Sequence, residues 1–215
     1  MSVSTQIKAP QLALESLQMR SLDKINFRPG DDWRGLSLSG QGRGDGREAR
    51  LDEIEWCDAR LHGVNWDGAT WSDCRFSTCD LAGAQWARNS VTRVEFEGCR
   101  VRGLLANESD WCDAVFRNCN LSGANFRGSR WKRARFESCD LSGSDWNGAD
   151  AHGLVFEGCN LSGADFNFCQ LQGADWRGCQ TEGVCVNAPS LRGLIVEPMQ
   201  AAQLARILGL DVRWS

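Results

Sequence analysis

The chain has 215 residues, of which 42% are apolar and 24% are charged, and its formal net charge at pH 7 is −4. This length is sufficient for one well-filled domain, and nothing in the composition indicates a second. There is no apolar run of about 18 residues, and no charged start followed by an apolar stretch near Met1, which argues against a membrane helix and a signal peptide. We therefore expect a soluble, cytoplasmic protein.

Residues 1–39 form the first predicted segment. Large apolar side chains recur there at five-residue spacing, at Ile7, Leu12, Leu17, Leu22 and Phe27. Small and glycine residues do not accompany the first three in a regular way, which predicts an irregular first coil or a capping strand that covers the open end of a repeat structure. Trp33 and Leu38 continue the spacing one residue out of step, so we expect a bulge near Pro29 and Gly30.

Residues 40–48, with the sequence GQGRGDGRE, contain no apolar side chain. Leu38 and Leu51 are thirteen residues apart, which is one repeat plus eight residues. We therefore predict a flexible loop that projects from the wall of the coil. The simplest interpretation is a tolerated surface insertion.

Residues 49–196 carry a five-residue repeat without insertion. A large apolar residue, here called the centre, recurs every five positions, with a small residue two positions before it and often a glycine two positions after it. The centres of the most regular stretch are Leu121, Phe126, Trp131, Phe136, Leu141, Trp146, Phe156, Leu161, Phe166, Leu171 and Trp176, with Ala151 the one small centre among them. A helix would rotate successive centres by roughly 140°, and a single strand would alternate them between faces. The chain must therefore turn a corner every five residues.

A second period gives the number of corners in one coil. Two columns recur every twenty residues: Cys79, Cys99, Cys119, Cys139, Cys159 and Cys179, and Phe76, Phe96, Phe116, Phe136 and Phe156. Four five-residue sides thus close one coil, and like residues stack on successive coils about 4.7–4.9 Å apart. The sequence predicts an all-β, four-sided β-solenoid.

Eleven cysteines could indicate disulfides or a metal site, but their positions favour another interpretation. Eight of them occupy the small inward position, where a thiol acts as a small apolar group. Stacked neighbours are farther apart than the roughly 3.8 Å between Cβ atoms that a disulfide needs. We expect reduced core thiols and no bound metal, with Cys57, Cys112 and Cys185 at outward positions as the reactive ones.

The sequence contains no recognisable catalytic constellation. His62 and His152 are the only histidines, both at outward positions, and no serine lies in a nucleophile-elbow pattern. Phosphate-binding glycine motifs are also missing, because the repeat's corners account for the glycines. We expect a non-enzymatic protein without a cofactor.

The repeat resembles the A(D/N)LXX motif of pentapeptide-repeat proteins, for example in CNLSG and ADFNF between Cys119 and Cys179. The resemblance implies a right-handed quadrilateral β-helix. Some members that confer quinolone resistance carry a protruding loop early in the solenoid. By this resemblance, residues 40–48 are a candidate partner-binding loop with Arg43, Asp45 and Arg47 as its contacts. The second, longer loop of those members has no counterpart here.

Residues 197–215 change character and predict a short C-terminal helix. Proline opens the segment PMQAAQLARILG, helix formers follow, and Gly209 ends it. The helix resembles the one that closes gyrase-binding members and pairs two solenoids end to end. The candidate dimer residues are Leu204, Ile207, Leu208, Leu210, Val212 and Trp214. A simple cap over the last coil is the alternative.

Charge is unevenly distributed along the repeats. The stretch from Asp140 to Glu182 contains seven acids and a single arginine, whereas the stretch from Arg88 to Arg135 is basic. The candidate partner-binding acids are Asp140, Asp145, Asp150, Asp165 and Asp175. Whether they form one face is left open by the sequence. Phe168 replaces a corner glycine, and it is either a chance surface aromatic or a candidate exposed anchor.

Two functions are consistent with these features. By the resemblance, the rod is a DNA mimic that binds DNA gyrase or another topoisomerase and protects it from inhibitors or toxins. Its carboxylates would then lie where the enzyme binds phosphates, without direct binding to nucleic acid or membrane. The alternative is a structural scaffold for a protein partner that is not a topoisomerase.

Overall fold

The computed structural model describes residues 6–213, which wind into a parallel β-solenoid closed by one helix. The strands are β1 Gln18–Ser21, β2 Asn26–Phe27, β3 Asp32–Gln41, β4 Arg43–Gly44, β5 Arg50–Arg60, β6 Thr70–Ser77, β7 Ser90–Glu97, β8 Asp110–Arg117, β9 Arg130–Glu137 and β10 Val155–Glu157. The helix is α1, Pro198–Ile207. Short 3-10 helices span Leu14–Ser16, Leu22–Lys24 and Ala188–Leu191.

Successive coils from β5 onward pair in parallel with a register of twenty residues, as in Phe96 opposite Phe116. These strands bend around one corner and contribute to two walls, and single bridges continue the ladders on the other two. We number the walls by their bridge residues: Asp80 and Asp140 lie on wall 1, Asn65 and Asp145 on wall 2, Asp110 and Asp150 on wall 3, and Arg75 and Asp175 on wall 4. The predicted quadrilateral β-helix with a short C-terminal helix is confirmed.

Aromatic side chains fill the interior in stacked columns. Phe76, Phe96, Phe116 and Phe136 stack in sequence with ring centroids 4.5, 4.5 and 4.9 Å apart and nearly parallel planes. Their spacing follows the strand spacing, because each ring sits on the same position of the next coil. All four are at most 1% exposed, so the column is dry and continuous.

The cysteine column also points inward. Cys79, Cys99, Cys119, Cys139, Cys159 and Cys179 are buried and unpaired by disulfides. The thiol of Cys99 donates to the carbonyl of Phe76 at 3.4 Å and accepts the backbone N–H of Cys79 at 3.4 Å, so the column is hydrogen-bonded from coil to coil. Cys74 and Cys169 are buried on other walls, and burial raises the pKa of Cys169 to about 12.

We expect thiol reactivity to divide the cysteines into two groups. In the native protein, Ellman's reagent should react with Cys185, which is exposed, and more slowly with Cys57 and Cys112, whose pKa values are raised by partial burial. The remaining eight should react only after unfolding. Rapid reaction of clearly more than three thiols in the native protein would contradict the buried column.

Residues 40–48 belong to the coil, so the predicted projecting loop is wrong. The N–H of Gly42 donates to the carbonyl of Arg60 at 3.0 Å, and the N–H of Gly46 donates to that of Asn65 at 2.8 Å. Both glycines are buried and occupy positions where other coils place side chains. Phe27 and Trp66 from neighbouring coils fill the space, because a Cβ on Gly42 would meet Phe27 and one on Gly46 would overlap the indole of Trp66.

The coils at the N-terminal end are irregular, and their details differ from the prediction. β1 pairs with β3 eighteen residues away, and the register shifts between Leu38 and Gly40. The bulge is therefore later than the predicted position, and Pro29 and Gly30 form a turn instead. Residues 6–13 do not cover the open end. They run along one corner of the solenoid, where Lys8 and Gln11 bond to aspartates of distant coils.

The C-terminal helix caps the last coil with specific contacts. Glu197 and Gln200 form a capping box at its start, and Pro198 occupies the first turn. The side-chain amide of Gln200 also donates to the carbonyls of Trp176 at 2.7 Å and Cys179 at 2.9 Å. The bond to Cys179 satisfies a carbonyl group that has no further coil to pair with, whereas the equivalent carbonyl of Cys159 accepts the N–H of Gln180 at 3.0 Å.

Candidate protein-binding surfaces

Among residues 6–213 no cluster of histidine, cysteine, aspartate and glutamate side chains is arranged to hold a metal ion. His152 Nδ1 lies 2.6 Å from Asp150 Oδ1 on an exposed wall, and His62 is exposed on another. No helix in the described part of the chain is long and apolar enough to cross a membrane. The described surface offers charged side chains and a few exposed apolar ones to other molecules.

The predicted partner-binding acids have a structural role in the turns of the repeat. One oxygen of Asp140, Asp145, Asp150, Asp165 and Asp175 accepts the backbone N–H two residues later, at 2.8–3.3 Å. Asparagine does the same at Asn65, Asn120, Asn125 and Asn160. The turn thus needs the side-chain oxygen but not the negative charge.

These five acids do not share one face. Asp140 is on wall 1, Asp145 and Asp165 are bridged neighbours on wall 2, Asp150 is on wall 3 and Asp175 is on wall 4. Cations neutralise part of the set: Arg127 contacts Asp145 at 3.0 Å, and Arg177 contacts Asp175 at 2.7 Å. The side-chain hydrogen bond from Arg177 is the main cause that lowers the pKa of Asp175.

The charges instead form belts around the rod, because a stretch of sequence becomes a stack of coils. Residues 138–197, here called the acidic belt, contain eight acids and two arginines, a net charge of −6. Residues 78–137, the basic belt, contain ten basic residues and seven acids, a net charge of +3. In the basic belt arginines pair with acids one coil away, as Arg130 does with Asp110 and Arg117 with Glu137.

The charged residues of the 40–48 segment lie on the coil surface rather than on a loop. Arg43 is in β4 and pairs with Asn26 of β2. Asp45 forms an ion pair with Arg47 at 2.7 Å, and the hydrogen bonds from Arg47 lower the pKa of Asp45. The structure therefore brings Asp45 and Arg47 together but offers no projecting element for them to act from.

Phe168 points outward, as predicted, with 72% of its surface exposed. It takes a corner with φ of 59°, a left-handed conformation that glycine usually adopts and that strains a bulky side chain. A shallow groove beside it is lined by His152, Gln172 and Arg192. Phe168 therefore remains a candidate anchor for a partner.

The predicted dimer residues divide into two groups. Leu204 is 4% exposed and packs into the core of its own protomer, so its predicted place on a dimer surface is wrong. Ile207, Leu208 and Leu210 are 43%, 42% and 62% exposed. Val212 is half-buried, and Trp214 lies outside the described residues. The helix thus buries one face as a cap and leaves an apolar end uncovered, and dimerisation through that end stays a prediction.

A corner between walls 3 and 4 was not singled out from the sequence. Asp73, Arg93, Asp113 and Arg133 occupy it on successive coils, all with positive φ. Both acids are nearly buried, and each carboxylate accepts bonds from the arginine one coil later. The alternation of acid and arginine every twenty residues, where the repeat often has glycine, was the available signal.

A protein-family model described as a pentapeptide repeat region matches residues 69–137, 89–152 and 129–197, which together cover more than half of the chain. The chain belongs to the pentapeptide-repeat family. No curated protein matches the sequence.

The chain is also similar, at low identity, to several solved structures. A trypsin-treated variant of QnrB1, a plasmid-mediated fluoroquinolone resistance protein, is 25% identical, with 91% of this chain and 96% of that chain covered and a TM-score of 0.49. HetL, involved in heterocyst differentiation regulation in the cyanobacterium Nostoc sp. strain PCC 7120, is 17% identical, with 78% and 90% covered and a TM-score of 0.37. A thylakoid-lumen protein of Arabidopsis thaliana is 18% identical, with 68% and 74% covered and a TM-score of 0.24.

Proposed function

We propose that this pentapeptide-repeat protein is a non-enzymatic DNA mimic whose acidic belt binds the DNA-binding groove of a type II topoisomerase, with DNA gyrase as the target. The charge density of that belt carries the proposal. Residues 138–197 form three coils, or about 14 Å of rod at the usual strand spacing. Their net charge of −6 gives one negative charge per about 2.4 Å, close to the one per roughly 1.7 Å of duplex DNA.

The distribution of these acids around the rod is consistent with this function. A DNA duplex presents phosphates on all sides of its axis, and the acidic belt likewise presents carboxylates on four walls. If two copies pair through Ile207, Leu208 and Leu210, the two acidic belts meet at the centre of a longer rod. The basic belts then lie farther from that centre, where they do not interrupt the charged surface.

The test is the activity of purified DNA gyrase with and without this protein. We expect micromolar protein to inhibit supercoiling or to reduce fluoroquinolone-stimulated DNA cleavage, and the effect to weaken with added salt. The informative variant converts five aspartates of the belt to asparagine: Asp140, Asp145, Asp150, Asp165 and Asp175. Because asparagine keeps the turn-forming oxygen, this variant should fold normally and lose at least about tenfold in potency.

A matched control removes the same charge elsewhere. It converts five aspartates outside the belt to asparagine: Asp32, Asp45, Asp58, Asp67 and Asp80. This control should retain the potency of the unmodified chain. If both variants lose potency equally, net charge rather than the belt is responsible, and if the unmodified chain leaves gyrase unaffected at micromolar concentration, the proposal fails.

Phe168 favours a second candidate, a scaffold for a protein partner that is not a topoisomerase. Its ring is 72% exposed at a corner where the preceding coils carry glycine or a charged residue, so it offers a partner an apolar contact that the solenoid itself does not use. Affinity capture with the unmodified chain and with Phe168→Gly distinguishes the two functions. A partner that is lost with Phe168→Gly, with gyrase absent from both samples, favours the scaffold.

A further inference from the structure

The N-terminal strap, residues 6–13, crosses several coils of the solenoid without pairing as a strand. Two backbone N–H groups donate its hydrogen bonds to the solenoid. That of Lys8 donates to Asp113 Oδ1 at 3.2 Å, and that of Gln11 donates to Asp73 Oδ1 at 2.8 Å. The two aspartates are forty residues apart, so the strap advances two coils over three of its residues.

Arginines fix the position of both aspartates through hydrogen bonds. Arg133 Nε donates to Asp113 Oδ1 at 2.6 Å, and Arg93 Nε donates to Asp73 Oδ1 at 2.7 Å. In both aspartates, Oδ1 therefore accepts one hydrogen bond from the arginine and one from a backbone N–H of the strap. Asp113 and Asp73 are 2% and 6% exposed, so each carboxylate is fixed by its neighbours and largely shielded from water.

The geometry of the corner matches an extended peptide. Two coils advance about 9.4–9.8 Å along the rod. Three residues of an extended chain with the rise of polyproline II advance about 9.3 Å. A peptide that lies along the corner therefore presents a backbone N–H at each aspartate, every third residue. Pro10, which has no N–H, falls between the two donor positions.

Two further observations connect the corner to the strap. Acidic or basic residues occupy it at Glu53, Asp73, Arg93, Asp113 and Arg133, whereas the same corner in the next three coils carries Gly153, Gly173 and Gly193. Val115 is at an outward position of its strand but only 4% exposed, and it lines an open surface pocket together with Ile7 of the strap. The charged and apolar features thus lie on the coils that the strap crosses.

We propose that the corner formed by Asp73, Arg93, Asp113 and Arg133 is a peptide-binding track, and that residues 6–13 occupy it as a ligand within the same chain. The track recognises backbone N–H groups at three-residue intervals, so its ligand class is an extended, proline-compatible peptide. A peptide of this kind from another molecule competes with the strap for the same two carboxylates. This inference does not depend on the proposed binding of gyrase.

The first test measures amide hydrogen exchange in the full chain. A variant with glycine at all four positions, Asp73, Arg93, Asp113 and Arg133, removes the carboxylates and leaves no unpaired charge. Glycine occupies the equivalent position in the next coil, at Gly153. We expect exchange at Lys8 and Gln11 to accelerate at least about tenfold. The control, Asp110→Ser with Arg130→Ser, removes a more exposed arginine–aspartate pair that also joins successive coils but does not touch the strap, and should leave that exchange unchanged.

The second test adds the strap sequence as a separate peptide. Lys8→Pro with Gln11→Pro removes both donor groups while the solenoid keeps its native residues. A fluorescent peptide of sequence QIKAPQLA should bind this variant at least about tenfold more tightly than it binds the unmodified chain. The same peptide with proline at both donor positions should not bind. Absence of saturable binding, or unchanged exchange in the glycine variant, overturns the proposal.

Discussion

Phe116→Ala is expected to lower the free energy of unfolding by about 3–5 kcal/mol, which is a large part of the roughly 5–15 kcal/mol available to a typical domain. The ring is fully buried between Phe96 and Phe136, with centroids 4.5 and 4.9 Å away. Its removal leaves a cavity that the stiff coils above and below cannot close, because their spacing is fixed by backbone hydrogen bonds. Urea unfolding followed by circular dichroism measures the loss.

Phe168→Gly provides the matched comparison for that result. It removes a ring of the same kind, but one that is 72% exposed and attached to a backbone with φ of 59°. Relief of the strain and the added flexibility of glycine in the unfolded chain oppose each other, so we expect a change within about 1 kcal/mol. A loss as large as that of Phe116→Ala would show that Phe168 packs against the wall, contrary to the structure.

Gly46→Leu is expected to destabilise the protein by at least about 3 kcal/mol, at or above the usual cost of overpacking a core. Gly46 does not have positive φ, so the cost comes from steric overlap rather than from backbone conformation. Its Cβ would overlap the indole of Trp66, which is 1% exposed and packs against Phe27 and Trp71 with ring centroids 4.5 and 5.0 Å away. Thermal and urea unfolding of the full chain measure the change.

Arg47→Leu places the same side chain one residue later, on the outside of the coil. Arg47 is exposed, so we expect a change within about 0.5–1 kcal/mol, including loss of its surface ion pair with Asp45. The two variants distinguish the coil from a projecting loop. In a loop both substitutions would be tolerated, whereas in the coil only Arg47→Leu is.

The sequence predicts the solenoid well from Leu51 onward because each inward position repeats the same steric requirement every five and every twenty residues. The prediction fails at residues 40–48 because side chains from other coils fill the interior there. Gly42 and Gly46 contribute no side chain, and Phe27 and Trp66 of adjacent coils fill the interior instead. A pattern based on apolar residues therefore interprets a buried segment as an exposed loop.

The candidate surfaces are predictable to different degrees. The outward position of Phe168 follows directly from the register, and the structure agrees. The helix of residues 198–207 follows from its capping residues, but its periodicity does not distinguish a face that caps the coil from a face that meets a partner. Leu204 is buried and Leu210 is exposed, although both were assigned to the same dimer surface.

By itself, the sequence determined the coil, the inward cysteines and aromatic columns, and the uneven charge along the chain, because these depend on short-range repetition. Only the tertiary structure decided that the acids surround the rod, that residues 40–48 lie in its wall, and that the N-terminal strap contacts Asp73 and Asp113. Stacking at a fixed spacing brings residues twenty or forty positions apart into contact. Interactions with segments outside the repeat, such as the strap, have no period from which they could be predicted.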